Sequence, residues 1–191
     1  MIIILDNGHG KDTPGKRSPI WPDGNQLFEF EFNRSIVSML SIELLDLHIY
    51  NHILVPEIYD VDLKERCRRV NNITKFANKE ALLISIHGNA GGGTGWECFT
   101  TKGNTKSDDF ATLLYQSAKV EFPEKKMRFD YTDKDPDKEA DFYILKNTIC
   151  PAVLTENFFM DNEADCKLMM SEDGQKRIVD LHVNAIKAYL R

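Results

Sequence analysis

The chain is short of paired cysteines, of positive charge and of long apolar runs, and each shortage removes a class of protein. Its four cysteines, Cys67, Cys98, Cys150 and Cys166, are scattered over 191 residues and none stands in a CxxC pair. Close pairs mark thiolate zinc sites and disulfide scaffolds, so buried free thiols are expected instead. A chain of this length buries enough core to fold without cross-links. Thirty acidic against 24 basic side chains leave a net charge of −6, which argues against nucleic acid as a partner, because phosphate backbones attract basic patches. No stretch reaches the roughly 20 apolar residues of a membrane-crossing helix, so no membrane insertion is expected. The N-terminus runs directly into Ile2-Ile3-Ile4-Leu5 without a basic flank, and that run is too short for a signal peptide. The expectation is synthesis in the cytoplasm, with any work outside the cell following release or export by another route.

Apolar runs alternate with helical patterns, which predicts an α/β fold. The expected architecture is a single domain over residues 1–191. It has a mixed, mostly parallel sheet of about six strands with helices on both faces, of the phosphorylase/hydrolase-like kind. Strands are expected at Ile2 to Leu5, His52 to Val55 (stopped by Pro56), Leu82 to Ile86, Trp96 to Thr100, Phe142 to Leu145 and Ala152 to Thr155. Helical spacing of apolar residues predicts helices through Ile36 to Leu47, Leu63 to Ala77 (capped by Asp62), Phe110 to Ala118 (capped by Ser107) and Ile178 to Tyr189. Residues 11–25 and the highly charged stretch from Glu124 to Asp141 read as exposed loops.

Ligands of open α/β sheets bind beyond the carboxyl ends of the strands. Three expected strands end in a polar residue there: His9 within Asp6-Asn7-Gly8-His9-Gly10, His87 within Ser85-Ile86-His87-Gly88-Asn89-Ala90, and Glu156 after Ala152 to Thr155. Gly8, Gly10 and Gly88 let the backbone turn tightly beside the histidines. Two histidines, a carboxylate and water make a common catalytic zinc shell, with a further carboxylate as general base. Glu29, Glu31 and Glu156 are the candidates for the two carboxylate roles. His48 and His52 have i, i+4 spacing but sit where a helix gives way to a strand, and no HExxH motif is present. His182 reads as a solvated helix residue. Glycines 91, 92, 93 and 95 read as a turn, since no phosphate-loop or dinucleotide pattern follows them.

These residues resemble the zinc-dependent N-acetylmuramoyl-L-alanine amidases of the amidase-3 (AmiC/CwlV-like) family, over nearly the whole chain. The family's Asp-x-Gly-His-Gly is matched by Asp6 to Gly10, and its Glu with Asn four residues on by Glu29 and Asn33. Leu63 to Arg66, Ser85 to Ala90, Phe142 to Leu145 and Pro151 to Asn162 match its remaining motifs in order. The resemblance implies one Zn2+ held by His9, Glu29 and His87, with Glu156 as the catalytic glutamate. Peptidoglycan is the implied partner and substrate, cut at the amide between N-acetylmuramic acid and L-alanine. Glu31, in the Phe28-Glu29-Phe30-Glu31-Phe32 alternation, competes with Glu29 for the ligand role, and Glu29 is preferred for its spacing to Asn33. Asn157 and Phe158 replace the family's small residue and Gly, which implies a reshaped pocket wall. Pro56-Glu57 stands where the family often has Thr-Arg.

Two other readings fit the same residues. One keeps the metal and changes the amide, giving a zinc peptidase or deacylase. The other is a non-catalytic peptidoglycan-binding relative, which the full set of ligand and base candidates disfavours. A leaderless wall hydrolase suits a phage or mobile-element lysin, or an enzyme released by lysis.

Overall fold

The computed structural model describes residues 1–191 apart from Lys79 and Asp133. The second of these, within the expected 124–141 loop, therefore lies outside the described residues. In chain order the elements are β1 (Ile2–Asn7), α1 (Glu29–Asp46), β2 (Asn51–Ile53), α2 (Leu63–Phe76), β3 (Ala81–Asn89), β4 (Trp96–Thr100), α3 (Lys106–Glu121), β5 (Lys138–Glu139), α4 (Tyr143–Lys146), β6 (Ala152–Phe159), α5 (Glu163–Met170) and α6 (Glu172–Tyr189). The strands form one sheet in the order β2-β1-β3-β6-β4-β5. The pairings β1–β2, β1–β3, β3–β6 and β4–β5 are parallel, and β4–β6 is antiparallel. The mixed, mostly parallel six-stranded sheet expected from the sequence is thus present.

Strand alternation divides the core into two layers. Ile3, Leu5, Leu82, Ile84, Ile86 and Val153 face α1, α3, α5 and α6. Ile4, Leu83, Leu154 and partly buried Phe99 face α2 and α4. By the same parity Asp6, Ser85, His87, Glu97 and Glu156 look toward the α2/α4 side.

Several local expectations are corrected. Phe142 to Leu145 is not a strand: residues 143–146 form a single helical turn, α4, with Ile144 and Leu145 buried and Phe142 and Tyr143 exposed. A four-residue apolar run carries no period, so either state fits it. Thr105, rather than Ser107, caps α3. Its hydroxyl accepts from the Ser107 amide while Asp108 reaches back to the Thr105 amide. Ser107 instead accepts from the Ala152 amide at 3.1 Å, tying α3 to β6. The 124–141 stretch is not wholly exposed, since Pro136 and Asp137 are buried and β5 lies within it. Burial pushes the Asp137 carboxyl up to about 7, with Asp135 adding to the effect. All four cysteines are buried free thiols, as expected. Among the described residues no helix is long and apolar enough to cross a membrane.

Candidate metal and catalytic site

The site lies at the carboxyl edge of β1, β3 and β6, where His9 after β1, Glu29 at the start of α1 and His87 in β3 are the three potential ligands. His9 follows β1 in a left-handed conformation, φ +64°, which an L residue holds only when its surroundings fix it. Here the His9 carbonyl accepts from Arg34 Nη1 at 2.9 Å. Arg66 donates to the neighbouring Asn7 carbonyl at 2.9 Å, so two guanidiniums hold the turn. Gly8 is required for a different reason: a Cβ there would lie 2.0 Å from His87 Cε1.

Glu29 opens α1 and is 1% exposed. Its Oε1 lies 3.4 Å from His9 Nε2, 3.1 Å from His87 Nδ1 and 3.3 Å from the Gly88 amide nitrogen. One turn later Asn33, fully buried, donates to the Gly8 carbonyl at 2.9 Å. The Glu-x-x-x-Asn spacing is thereby explained: i and i+4 share a helix face, so one residue reaches the site while the other locks the helix to the β1 turn. Glu31 is exposed on another face of α1. The two imidazoles stand edge to face, centroids 4.9 Å apart. One ligand atom from each of His9, Glu29 and His87 can be chosen so that all lie within 4.8 Å of one another. Glu29 Oε2 is buried without a hydrogen-bond partner, the Lys16 ammonium standing 3.8 Å away. Burial opposes the Glu29 charge, but the bonds to His87 and His9 outweigh it and hold the carboxyl well below the usual range. For His87, burial opposes protonation and the Glu29 carboxylate more than offsets it.

Glu156 is directly opposite His87 in the β3–β6 register. It does not end its strand, as the sequence suggested. β6 runs on to Phe159: β4 pairs antiparallel with it as far as Asn157, and Asn89 of β3 pairs with Phe159 beyond a register shift. Glu156 Oε2 is buried without a partner. Burial raises its carboxyl to about 7, the His87 charge working against that and the Glu29 and Glu97 carboxylates with it. His9, His87, Glu156 and Lys16 line one cavity of about 310 Å³ with Phe142 and Tyr143.

The sequence reading misplaced some residues and missed others. Asn157 and Phe158 do not form the pocket wall. Asn157 is fully buried, donates to the His87 carbonyl at 3.1 Å and accepts from Trp96 Nε1 at 2.9 Å. Phe158 packs against Phe122, with centroids 4.8 Å apart, and has φ +71°, a conformation natural to the Gly of the family pattern. His182 is fully buried rather than solvated. The pairing of Arg66 with Asp6 and the burial of Glu97 carried no local signal, because both depend on partners distant in sequence. Asn89 accepts from the Ala90 amide and also donates to Glu97.

The chain is similar to known proteins over nearly its whole length. The model of the Amidase_3 family, N-acetylmuramoyl-L-alanine amidase, matches residues 3–188. The sporulation-specific N-acetylmuramoyl-L-alanine amidase of Bacillus subtilis (strain 168) is 28% identical over 187 residues, 97% of this chain and 66% of that protein. The endolysin of Bacillus phage SPP1 is 32% identical over 197 residues, 99% of this chain and 66% of that protein. The chain therefore spans slightly less than two thirds of the length of these relatives. The crystal structure of N-acetylmuramoyl-L-alanine amidase from Clostridium difficile 630 superposes with a TM-score of 0.83 at 22% identity, covering 99% of this chain and 96% of that one, a likeness of fold. The match over residues 3–188 places this chain in the N-acetylmuramoyl-L-alanine amidase family, Amidase_3.

Proposed function

We propose that residues 1–191 form one catalytic unit that hydrolyses the amide between N-acetylmuramic acid and L-alanine in peptidoglycan, with His9, Glu29 and His87 holding zinc and Glu156 as the catalytic carboxylate. The observation that carries this reading is the convergence of those four side chains at one sheet edge, three of them clustered and the fourth opposite His87. The donor set fits the metal. Two imidazoles and one carboxylate are borderline-hard ligands of the kind zinc takes, and three protein ligands leave a position for water or substrate. Separations of 3.1 and 3.4 Å from Glu29 Oε1 to the two imidazoles are close to the roughly 3.3 Å edge of a tetrahedron of ligands about 2.0–2.1 Å from zinc. Glu29 Oε2, which accepts no hydrogen bond, leaves acceptor capacity for a cation.

Zinc bound there supplies charge stabilisation to the amide carbonyl and lowers the pKa of water to about 7. Glu156 then takes the proton of the attacking water and returns it to the departing alanine nitrogen. Its buried, unpartnered oxygen is free for that exchange. Phe142 and Tyr143 add aromatic surface to the lining of the cavity.

The test is Glu156→Gln. The variant retains about one zinc per chain by elemental analysis and releases no peptide from purified sacculi, whereas the parent frees peptides bearing new L-alanine amino termini and leaves the glycan intact. Parent-rate hydrolysis by Glu156→Gln, or cleavage of another bond by the parent, overturns the reading.

A further inference from the structure

The sheet face that carries His87 and Glu156 continues one strand further. Glu97 on β4 is directly opposite Glu156 on β6, so His87, Glu156 and Glu97 form a row across three strands, on one face by alternation. Glu97 is 3% exposed. It does not stand alone: Arg128 Nε donates to its Oε2 at 2.7 Å, Lys138 Nζ to the same oxygen at 2.5 Å, and Asn89 Nδ2 to Oε1 at 2.5 Å.

Two cations thus share the carboxylate next to Glu156 in the row, in a chain whose net charge is −6. Both cations are only about three-quarters covered, with side-chain exposures of 29% for Arg128 and 25% for Lys138. Each is also fixed from below by an aromatic ring. The Arg128 guanidinium lies 5.0 Å from the Phe159 centroid, and the Lys138 ammonium 5.8 Å from that of Phe99. Arg128 offers Nε to Glu97, so among the described residues its two terminal amino groups remain available to another acceptor, as do further protons of Lys138. A carboxylate accepts several hydrogen bonds, so Glu97 holds both cations while their remaining N–H groups suit an incoming anion.

We propose that Arg128 and Lys138, braced by Glu97, form a carboxylate-binding shelf that receives the peptide side of the substrate and so sets which way the scissile amide lies across the site. This rests on the reading of the chain as a peptidoglycan amidase, whose stem peptides carry free carboxylates in some walls and carboxamides in others. Strand spacing supports the reach. Neighbouring strands lie about 4.8 Å apart, so the cations gathered over Glu97 are roughly one to two spacings from Glu156, and an extended peptide covers that in about two or three residues. The second stem residue is then the group that meets the shelf.

The experiment uses the zinc-loaded protein and two soluble muropeptides differing only in whether the second stem residue bears a carboxylate or a carboxamide. The parent shows a KM about five- to tenfold lower for the carboxylate form, as expected of a charge-assisted contact at a partly exposed site. Lys138→Gln, which leaves Arg128 on Glu97 and hence the fold intact, removes most of that preference by raising KM for the carboxylate form alone, with kcat unchanged. Lys138→Arg restores it. Equal KM values in the parent, or a loss in Lys138→Gln that affects both substrates alike, overturns the shelf and leaves a structural clamp. If the parent cleaves neither muropeptide although zinc is bound, the amidase reading fails and the shelf falls with it.

Discussion

Arg66 and Asp6, 60 residues apart in sequence, meet at 2.6 Å with both side chains 2% exposed. The remaining Asp6 oxygen accepts from Ser85 Oγ at 2.6 Å, and Arg66 also donates to the carbonyls of Asn7 and Val61. One ion pair thereby clamps the end of β1, the start of α2 and the middle of β3 beneath the candidate metal site. Such a pair is weak evidence of net stability, but removing one partner strands a buried charge.

Arg66→Met is therefore expected to lose about 3–5 kcal/mol of unfolding free energy, measured by urea denaturation. Adding Asp6→Asn should recover part of that loss, because the stranded charge disappears with it. A single-variant cost below about 1 kcal/mol would mean that water reaches Asp6 and that the clamp contributes little.

Gly8 tests the ligand geometry without touching a ligand. A Cβ at this position would stand 2.0 Å from His87 Cε1 and 2.4 Å from Nε2, so the ring must swing away from Glu29. Gly8→Ala should keep its circular dichroism spectrum and lose zinc affinity by about tenfold or more, the scale of disturbing a ligand's support. Glu29→Gln should lose zinc as well, whereas Glu31→Gln, altered on an exposed side of α1, should bind it as the parent does. Zinc loss in Glu31→Gln alone would reverse the assignment of the carboxylate ligand.

The sequence made the strand-end histidines legible because the signal is local: an apolar run, then His beside Gly. The alternation of Ile3, Ile4 and Leu5 between two core layers follows from period two in the same way. What escaped was set by tertiary partners. Phe142 to Leu145 is apolar without period, and its helical turn follows from packing Ile144 and Leu145 against the α2 side. α5 was not anticipated, since its eight residues are too few to display a helical stripe. Glu97 looks like any strand glutamate until β4 is paired with β6. Glu156 reads as a strand end only while that antiparallel neighbour is out of view.

His182 shows how such a partner changes a residue's chemistry, and it gives the protein a measurable pH dependence. Its Nδ1 lies 2.7 Å from the Ile178 carbonyl oxygen and its Nε2 3.1 Å from Thr155 Oγ1. A carbonyl can only accept, so Nδ1 carries the proton and Nε2 accepts from the threonine hydroxyl. Thr155 Oγ1 in turn accepts from Asn157 Nδ2, which also donates to the His87 carbonyl. Burial pushes the His182 pKa down to about 4, the hydrogen bond to Ile178 resisting. Because the unfolded chain titrates near 6.5, the unfolded state binds the proton more tightly. Stability from the neutral imidazole is thus complete above about pH 6.5 and is lost as the pH falls toward 4, by up to roughly 3 kcal/mol. Asp137 works in the opposite sense, its raised carboxyl favouring the folded state at low pH, so the parent curve alone does not isolate the histidine. The difference between parent and His182→Gln does. That variant keeps a side-chain amide near Thr155 and has no charge to gain, so the two unfolding free energies should converge by about 3 kcal/mol between pH 6.5 and 4. A difference that stays constant across that window would show that His182 does not titrate as a buried neutral group.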